Sequence, residues 1–225
     1  MGHLPFDPSK LSPPDLALYN GMVERRKAQG AGFGGPYSAL MNHPKLCAKI
    51  EDLGFYLKFQ GHLPRNIYQF VVLSVARSTG AAFEWIDHVK HAEAAGVPAS
   101  VITTLQEHGI SDGVFQAPYD LVAKVLAATL PWKDVPNALQ DQIIQEYGVE
   151  AFVELVVLSG FYQMFAAINQ GFGVRPPVRR SALREIFKWK CHIKRRLQSE
   201  IYQAQNVASH PTSLSLLSLP ILYDT

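Results

Sequence analysis

Glu84 and His88 are the residues of this chain whose types and spacing could do acid–base chemistry. They lie in the stretch A-A-F-E-W-I-D-H-V-K-H-A-E-A-A-G, which runs from position 81 to position 96. Residues four positions apart on a helix share one face about one turn apart, so the carboxylate and the imidazole can meet. Such a pair can donate, accept or exchange a proton. The sequence therefore predicts a proton-handling pair on a short helix.

The segment before this helix indicates that the pair is at least partly buried. Residues 67–76 are strongly apolar, and the helix itself is rich in alanine. Burial would change the pKa of both groups, which is a common property of functional sites. The alternative is a structural hydrogen bond or an ion pair on a solvated helix face.

Asp87 and His91 occupy the same two helical turns and raise the alternative of a metal site. They share a face next to the one that carries Glu84 and His88, so a single ion would need ligands from elsewhere in the chain. We expect no metal at this site.

The apolar pattern of the chain predicts an all-α fold, because helical spacing recurs and no alternating strand pattern with hairpin turns is found. Predicted helices cover residues 14–28, 44–59, 65–79, 81–95, 99–108, 119–130, 137–147 and 151–168. The helices at 65–79 and 151–168 are apolar nearly all round and are expected to be buried on every side. The glycine-rich piece at 30–35 has no preceding strand and no following Lys-Ser/Thr, so it is predicted to be a plain loop.

A weak internal repeat connects the two apolar helices. The run from Gln69 to Ser74 aligns with the run from Glu154 to Ser159, and the same offset places Asn169 opposite Glu84. This pattern predicts two copies of a two-helix unit that pack about a pseudo-twofold axis.

Composition limits the class of protein. With 225 residues and 48% hydrophobic content, the chain can bury a sizeable core. Cys47 and Cys191 form no paired motif, which argues against a disulfide framework or a zinc cluster and favours a reducing, cytoplasmic compartment. No secretory signal is recognised at the start, and Glu154 and Gln163 favour a core helix over a membrane span at 151–168.

The chain changes character near residue 175. Residues 1–33 are predicted to form an N-terminal helix and loop, residues 34–174 the main domain, and residues 175–225 a basic extension. Apolar residues at helical spacing within the extension predict a basic amphipathic helix that docks on its own body or on a partner subunit. Contact with anionic lipid or nucleic acid is the alternative, and we expect no nucleic-acid partner.

Four motifs follow one another in the main domain. They are G-G-P-Y-S-A-L-M-N-H-P at 34–44, L-P-R-N-I-Y-Q-F-V-V-L-S-V-A-R at 63–77, F-E-W-I-D-H-V-K-H-A-E-A-A-G-V at 83–97 and L-S-G-F-Y-Q-M-F-A-A-I-N at 158–169. Together they resemble the carboxymuconolactone decarboxylase family, within the AhpD-like alkylhydroperoxidase superfamily. The resemblance implies an all-helical bundle that assembles as a homo-oligomer, commonly a trimer or hexamer.

The peroxidase branch of that superfamily uses a C-x-x-C-x-x-x-H motif with an upstream glutamate. On this sequence the two cysteines fall on Ala81 and Glu84, the histidine on His88 and the glutamate on Gln69. Dithiol peroxide reduction needs a thiolate and a resolving thiol, and both are missing from the motif. We therefore expect no dithiol peroxidase, while an antioxidant alkylhydroperoxidase activity of another kind stays an alternative.

The E-W-x-x-H segment resembles the decarboxylase branch, which implies a lyase that removes a carboxyl group from a carboxylated lactone or a related ring compound. This chemistry requires a proton donor, a hydrogen-bond donor to a carbonyl oxygen and a dry pocket, without a metal or organic cofactor. The resemblance makes His88 the general acid, Glu84 the group that orients it or exchanges its proton, and Gln69 a neutral hydrogen-bonding partner. Gln69 cannot carry a proton, so a full relay is in doubt.

Four further residues are candidate contacts for a small-molecule substrate. Arg77 could bind a carboxylate through two hydrogen bonds or form a buried structural pair. Trp85 is a second candidate contact, although its position on the helix favours a place in the core or at a subunit interface. Tyr162 and Asn169 are candidates because of the motif and the internal repeat. A non-enzymatic oligomeric binding protein is the remaining alternative, and it predicts a filled pocket with Glu84 in solvent.

Overall fold

The computed structural model describes residues 4–111 and 113–176, and within these residues the fold is all-α, as predicted. The described residues form nine α-helices, one short 3-10 helix at Pro8–Lys10 and no β-strand. The helices are α1 (Pro13–Ala28), α2 (Pro36–Leu40), α3 (Pro44–Phe59), α4 (Arg65–Thr79), α5 (Ala82–Ala94), α6 (Ala99–His108), α7 (Tyr119–Thr129), α8 (Asn137–Tyr147) and α9 (Val149–Gly171). The predicted basic helix lies outside the described residues.

Local sequence signals set the ends of the helices around the site. Ser12 and His43 cap α1 and α3, because their side chains accept hydrogen bonds from the backbone N–H groups of Asp15 and Leu46, at 3.4 and 3.3 Å. Gly80 ends α4 in the left-handed conformation, with φ of 71°. This turn lets α5 begin at once and fold back along α4.

α4 is the central helix of the described core. All residues from Ile67 to Arg77 are buried, and the helix packs against α5 and α9. The prediction that this helix is covered on every side is confirmed. These two neighbours, α5 and α9, carry residues of the candidate site.

α9 is covered on one face only, so the prediction that it is buried on every side is wrong. The face turned towards α4 buries Leu155, Leu158, Tyr162 and Phe165. The opposite face exposes four valines, namely Val149, Val153, Val156 and Val157, which are 39–55% exposed. Within the described ranges α9 is the one helix that is long and apolar enough to cross a membrane.

The predicted internal repeat is partly visible in the packing. α4 and α9 contact each other, and Asn169 lies beside Glu84, its partner in the alignment. However, α9 continues unbroken to Gly171, whereas α4, its counterpart in the alignment, ends at Gly80 and is followed by α5 as a separate helix. The second copy of the predicted two-helix unit is therefore a single helix.

The core-facing side of α3 is not a simple row of leucines. Of its three leucines, Leu57 is 5% exposed, whereas Leu46 and Leu53 are 43% and 41% exposed. The buried side also contains Cys47, Glu51 and Gly54. Glu51 is fully buried because Arg25 and Arg26 of α1 reach over to pair with its carboxylate.

The glycine-rich segment 30–35 is a loop, as predicted, and Arg26 holds it in place. The Arg26 Nε–H donates to the Gly32 carbonyl oxygen at 2.8 Å, while its guanidinium lies 4.8 Å from the Tyr37 ring centroid. Gly35 has φ of 58°, a conformation that favours glycine. The loop is thereby fixed against the side of the bundle on which α5 lies.

Candidate active site

α5 carries Glu84 and His88 on its buried face, where each residue is only 4% exposed. Glu84 Oε2 lies 3.6 Å from His88 Nε2, a distance within ion-pair range but longer than a hydrogen bond. The two groups therefore share an environment without a direct short contact.

A hydrogen bond from α4 fixes the tautomer of His88. Its Nδ1 lies 2.8 Å from Gln69 Oε1, and an amide oxygen can only accept. The Nδ1 position therefore carries the proton, and in the neutral ring Nε2 has a free lone pair. That lone pair faces Glu84 and the site.

Tyr162 of α9 and Tyr68 of α4 extend the hydrogen bonding around His88. Tyr162 Oη lies 3.4 Å from His88 Nε2 and 2.9 Å from Tyr68 Oη. Because Nε2 is an acceptor, the Tyr162 hydroxyl donates to His88 and accepts from Tyr68. Burial raises the pKa of Tyr68 to about 12 and that of Tyr162 well above its usual value, so both phenols stay protonated.

Asn169 of α9 holds the other end of the Glu84 carboxyl group. Its Nδ2–H donates to Glu84 Oε1 at 2.8 Å. Its Oδ1 is buried and has no hydrogen-bond partner within the described part of the chain. Asn169 thus orients the carboxyl group through one hydrogen bond and leaves Oε2 directed towards His88.

Burial makes both members of the pair neutral near pH 7. It raises the pKa of Glu84 to about 7. The charge of Asp87 raises this pKa further, while the hydrogen bond from Asn169 and the charge of Lys58 lower it. Burial also lowers the pKa of His88 well below its usual value, and the charge of Lys58 lowers it further. A protonated Glu84 beside a neutral His88 is therefore the main state below pH 7, and about half of the molecules are in this state at pH 7.

The pair opens onto a cavity of about 380 Å³. α5, α3 and α9 form three of its walls, and the glycine-rich loop forms the fourth. Aromatic rings make up most of its apolar lining, contributed by Phe33, Tyr37, Phe83, Phe161, Tyr162 and Phe165. The charged and titratable lining lies on α1, α3 and α5, and includes Arg26, Lys58, Asp87, Lys90 and His91.

Gly54 of α3 is required for the shape of this cavity. A Cβ atom at this position would lie 2.6 Å from the Tyr37 hydroxyl oxygen and 2.8 Å from Cζ of Phe161. Both of these side chains line the cavity. Any larger residue at position 54 would push them into the space a ligand could occupy.

The structure brings five of the predicted site residues together. Glu84, His88 and Tyr162 line the cavity, while Gln69 and Asn169 stand behind them and hold His88 and Glu84. Gln69 and Asn169 act through other residues, so neither is in a position to touch a ligand.

Arg77 and Trp85, which the sequence suggested as substrate contacts, do not line the cavity. The Arg77 Nε–H donates to the Gln106 carbonyl oxygen at 2.8 Å, because this end of α4 faces α6. Trp85 is 2% exposed and follows Glu84 directly, which turns its ring to a different face of α5. Their placement agrees with the structural alternatives stated for both residues.

Sequence reasoning missed Lys58, Tyr68 and the glycine-rich loop as parts of the site. Lys58 lies on a helix that contains no predicted site residue, and Tyr68 is one position before Gln69 in an apolar run. The one available signal was Gly54, a small residue within a helix, which often marks a close approach of another group.

No group of three or more potential metal ligands is present among residues 4–111 and 113–176. His91 Nε2 lies 3.9 Å from Asp87 Oδ2, at the rim of the cavity. Glu84 and His88 are each engaged by an amide group of the neighbouring helices.

Cys47 lies outside the cavity and is buried. Its thiol donates to the Tyr37 carbonyl oxygen at 3.7 Å, and burial raises its pKa to about 12. A thiol with so high a pKa is a poor nucleophile. Cys191 lies outside the described residues.

Comparisons with known proteins identify the fold. No protein-family model and no curated protein sequence matches the chain. A solved structure from Agrobacterium tumefaciens, described as a protein of unknown function and a candidate antioxidant defence protein AhpD, is similar, with a TM-score of 0.54 and 19% identity over 65% of this chain and all of its own.

The debrominase Bmp8 is also similar, with a TM-score of 0.60 and 14% identity over 81% of this chain and 96% of its own. It has been solved in the apo form and as a cysteine-to-alanine variant in complex with 2,3,4-tribromopyrrole. At these identities the comparisons show a shared AhpD-like fold. The narrower resemblance to carboxymuconolactone decarboxylases stays a prediction.

Proposed function

We propose that this protein is a cofactor-independent decarboxylase, or a closely related lyase, that acts on a carboxylated lactone or a similar small ring compound. The observation that carries the proposal is a carboxylic acid with a pKa of about 7, Glu84, which lines a cavity beside a neutral imidazole. A proton donor with a pKa near the working pH is what general acid catalysis needs.

The pKa directions favour an exchange of the two predicted roles. His88 is neutral and carries its one ring proton on Nδ1, where Gln69 holds it, so it has no proton to donate at Nε2. Glu84 is protonated in a large fraction of molecules near pH 7. We therefore assign Glu84 as the general acid and His88 as the acceptor that orients the acidic proton and exchanges it.

The reaction balances with these groups. The bond between the ring carbon and the substrate carboxylate breaks, CO2 leaves, and the electron pair moves into the conjugated carbonyl group to give an enolate. When a ligand is bound, the Tyr162 hydroxyl turns its proton from His88 Nε2 to the developing oxyanion, which leaves the Nε2 lone pair for the Glu84 proton. Glu84 then protonates the carbon and recovers its proton from solvent.

The shape of the cavity suits a small ring. About 380 Å³ lined by aromatic side chains can enclose a planar compound, and its apolar walls exclude water from the charge that develops. The debrominase neighbour binds a brominated pyrrole, which is a ring of comparable size. A ring compound is therefore the ligand class that we propose for this chain.

A thiol-dependent antioxidant activity is the second candidate, and the A. tumefaciens neighbour is its support. The burial and raised pKa of Cys47 argue against it. If this candidate were correct, the protein would reduce organic peroxides, and Cys47→Ser or Cys191→Ser would abolish the turnover.

A non-enzymatic binding protein is the third candidate. It predicts a filled pocket and an exposed Glu84, whereas Glu84 is 4% exposed and faces an open cavity. We therefore prefer an enzyme, with a cytoplasmic location and a homo-oligomeric state as further predictions.

A decarboxylation assay tests the proposal. Carboxymuconolactone and related lactone acids would be offered to the wild-type protein, and CO2 release would be measured. We expect Glu84→Gln and His88→Ala to lower kcat by about 10²- to 10⁴-fold, the usual effect of removing a general acid–base group.

Glu93→Gln is the matched control, because Glu93 lies on the same helix and is exposed. It should leave kcat unchanged. If Glu84→Gln turns over the substrate as fast as the wild-type protein does, Glu84 is not the general acid.

A further inference from the structure

We infer that Lys58 determines specificity by binding an anionic group that the ligand retains through the reaction. This inference rests on the proposed function, because it extends the chemistry of the same cavity. Lys58 lies on α3 and lines the cavity together with Glu84 and His88.

Lys58 has no carboxylate partner within the described ranges. Its ammonium group forms no ion pair or hydrogen bond there, whereas the other cavity lysine, Lys90, pairs with Asp87 at 3.2 Å. Lys58 is also partly buried, and burial lowers its pKa to about 8. A cation in such a position is costly for folding unless a partner offsets the loss of hydration.

Among the described residues, the substitute for that partner is the Phe59 ring, whose centroid lies 5.6 Å from Lys58 Nζ and which stabilises a cation only weakly. The charges of Arg26 and Arg65 lower the pKa of Lys58 further, and the charges of Asp87 and Glu84 raise it without offsetting the effect of burial. Glu84 is itself protonated in about half of the molecules at pH 7 and then supplies no charge. The cavity therefore has one unmatched positive charge next to the proton-donating pair, and a ligand anion is the group that would match it.

The chemistry of decarboxylation decides which anion this is. A carboxylate that departs as CO2 loses its negative charge in the transition state, so an ammonium ion bound to it would stabilise the ground state more and slow the reaction. A useful cation binds a charge that stays on the molecule. The preferred substrate class is thus a small ring acid with a second anionic group, such as a second carboxylate.

Binding of benzoate and benzamide tests this inference without turnover. The two probes have the same ring and differ in charge, and their affinities at pH 7 would be measured by isothermal titration calorimetry or ligand-observed NMR. We expect the wild-type protein to bind benzoate more tightly. Lys58→Met should lower benzoate affinity about 10- to 100-fold and leave benzamide affinity unchanged, while Lys58→Arg should keep the preference.

Lys90→Met is the matched control, because it removes the same charge from the same cavity at a position that already has an acidic partner. It should change benzoate affinity by less than about threefold, in line with an exposed ion pair. Thermal unfolding of each variant verifies that it is folded. We expect Lys58→Met to unfold at a higher temperature than the wild type, because it removes a partly buried cation.

Three results would overturn the inference: equal wild-type affinity for the two probes, no loss of benzoate binding in Lys58→Met, or an equal loss in Lys90→Met. The proposed function can fail separately. If no lactone acid is decarboxylated while the charge preference still depends on Lys58, the site binds anions and is not a decarboxylase. If decarboxylation occurs and Lys58→Met leaves KM unchanged, the role of Lys58 is wrong and the proposed function stands.

Discussion

Burial controls the protonation of Glu84 and His88 more than their attraction to each other does. A charged pair at 3.6 Å would be an ion pair, but loss of hydration opposes charge on both groups and moves the two pKa values in opposite directions. The resulting neutral pair keeps an acidic proton in the site near pH 7. This is the state from which the proposed proton transfer begins.

Asn169→Ala should move the alkaline limb of the pH profile of kcat upwards. The Asn169 hydrogen bond stabilises the Glu84 carboxylate, so its removal raises the pKa of Glu84 further. Because activity requires the protonated acid, kcat declines as pH rises through that pKa. Profiles from pH 5 to pH 9 would measure the change.

Asn66→Ala is the control for this shift, because its amide contacts the Tyr119 hydroxyl away from Glu84. Its profile should match that of the wild type. An alkaline limb in Asn169→Ala that is unmoved, or moved downwards, would show that Asn169 does not control the acid.

At the residue level, helical spacing alone revealed the pair, whereas the two residues that hold it came from other signals. Glu84 and His88 were predictable because helical spacing follows from position alone. Gln69 came from the family resemblance and Asn169 from the internal repeat, since contacts between helices depend on packing. Arg77 lies outside the cavity, because the direction of its side chain depends on where α6 lies.

At the level of elements, the site depends on how closely α3 approaches α2 and α9. Gly54 has no side chain, and Tyr37 and Phe161 occupy the space in front of it. The close approach also brings Lys58, one turn later on α3, to the cavity. The shape and the charge of the site thus have a common origin in this packing.

Gly54→Ala should destabilise the protein by about 1–3 kcal/mol and raise KM. The added methyl group would overlap Tyr37 and Phe161 and force both rings towards the cavity. Chemical denaturation and steady-state kinetics would measure the two effects.

Gly21→Ala is the matched control on α1, where an added Cβ would meet no atom within 4 Å. It should raise stability by about 0.5–1 kcal/mol, since alanine is the better helix former. If both variants gain stability equally and leave KM unchanged, the close packing at Gly54 does not shape the site.

Element boundaries were more predictable than element faces. α3, α4, α6 and α8 have the predicted bounds, because proline and glycine residues near their ends act locally. The buried face of α3 was not predictable, since two of its three leucines lie on the outer surface and its core side contains Glu51 and Gly54. A charged residue can occupy a core position only when partners such as Arg25 and Arg26 arrive from another helix.

At the level of the whole molecule, an apolar surface lies between α3 and α9. It comprises Leu53, Tyr56, Val149, Val153 and Val157, which are 41–55% exposed. Contiguous apolar patches of this kind usually mark interaction sites. The patch therefore supports the prediction, made from the family resemblance, that the protein is a homo-oligomer.

Val153→Asp should dissociate such an oligomer, because an unpaired charge at the centre of an apolar interface is costly. Size-exclusion chromatography with light scattering would measure the mass. Leu18→Asp on α1, at a position that is 39% exposed on another helix, is the control and should leave the mass unchanged. A wild-type protein that is monomeric at all concentrations would contradict the prediction.

The titration of the Glu84 carboxyl group tests the central claim most directly. Glutamate labelled with carbon-13 at the carboxyl position would be followed by NMR from pH 4 to pH 9, and the Glu84 signal would be assigned by its absence in Glu84→Gln. We expect the Glu84 carboxyl group to titrate with a midpoint of about pH 7. Lys58→Met should move this midpoint upwards, because the charge of Lys58 lowers the pKa of Glu84. A midpoint at the ordinary value of 4.5 would show that Glu84 is ionised at neutral pH and cannot be the proton donor.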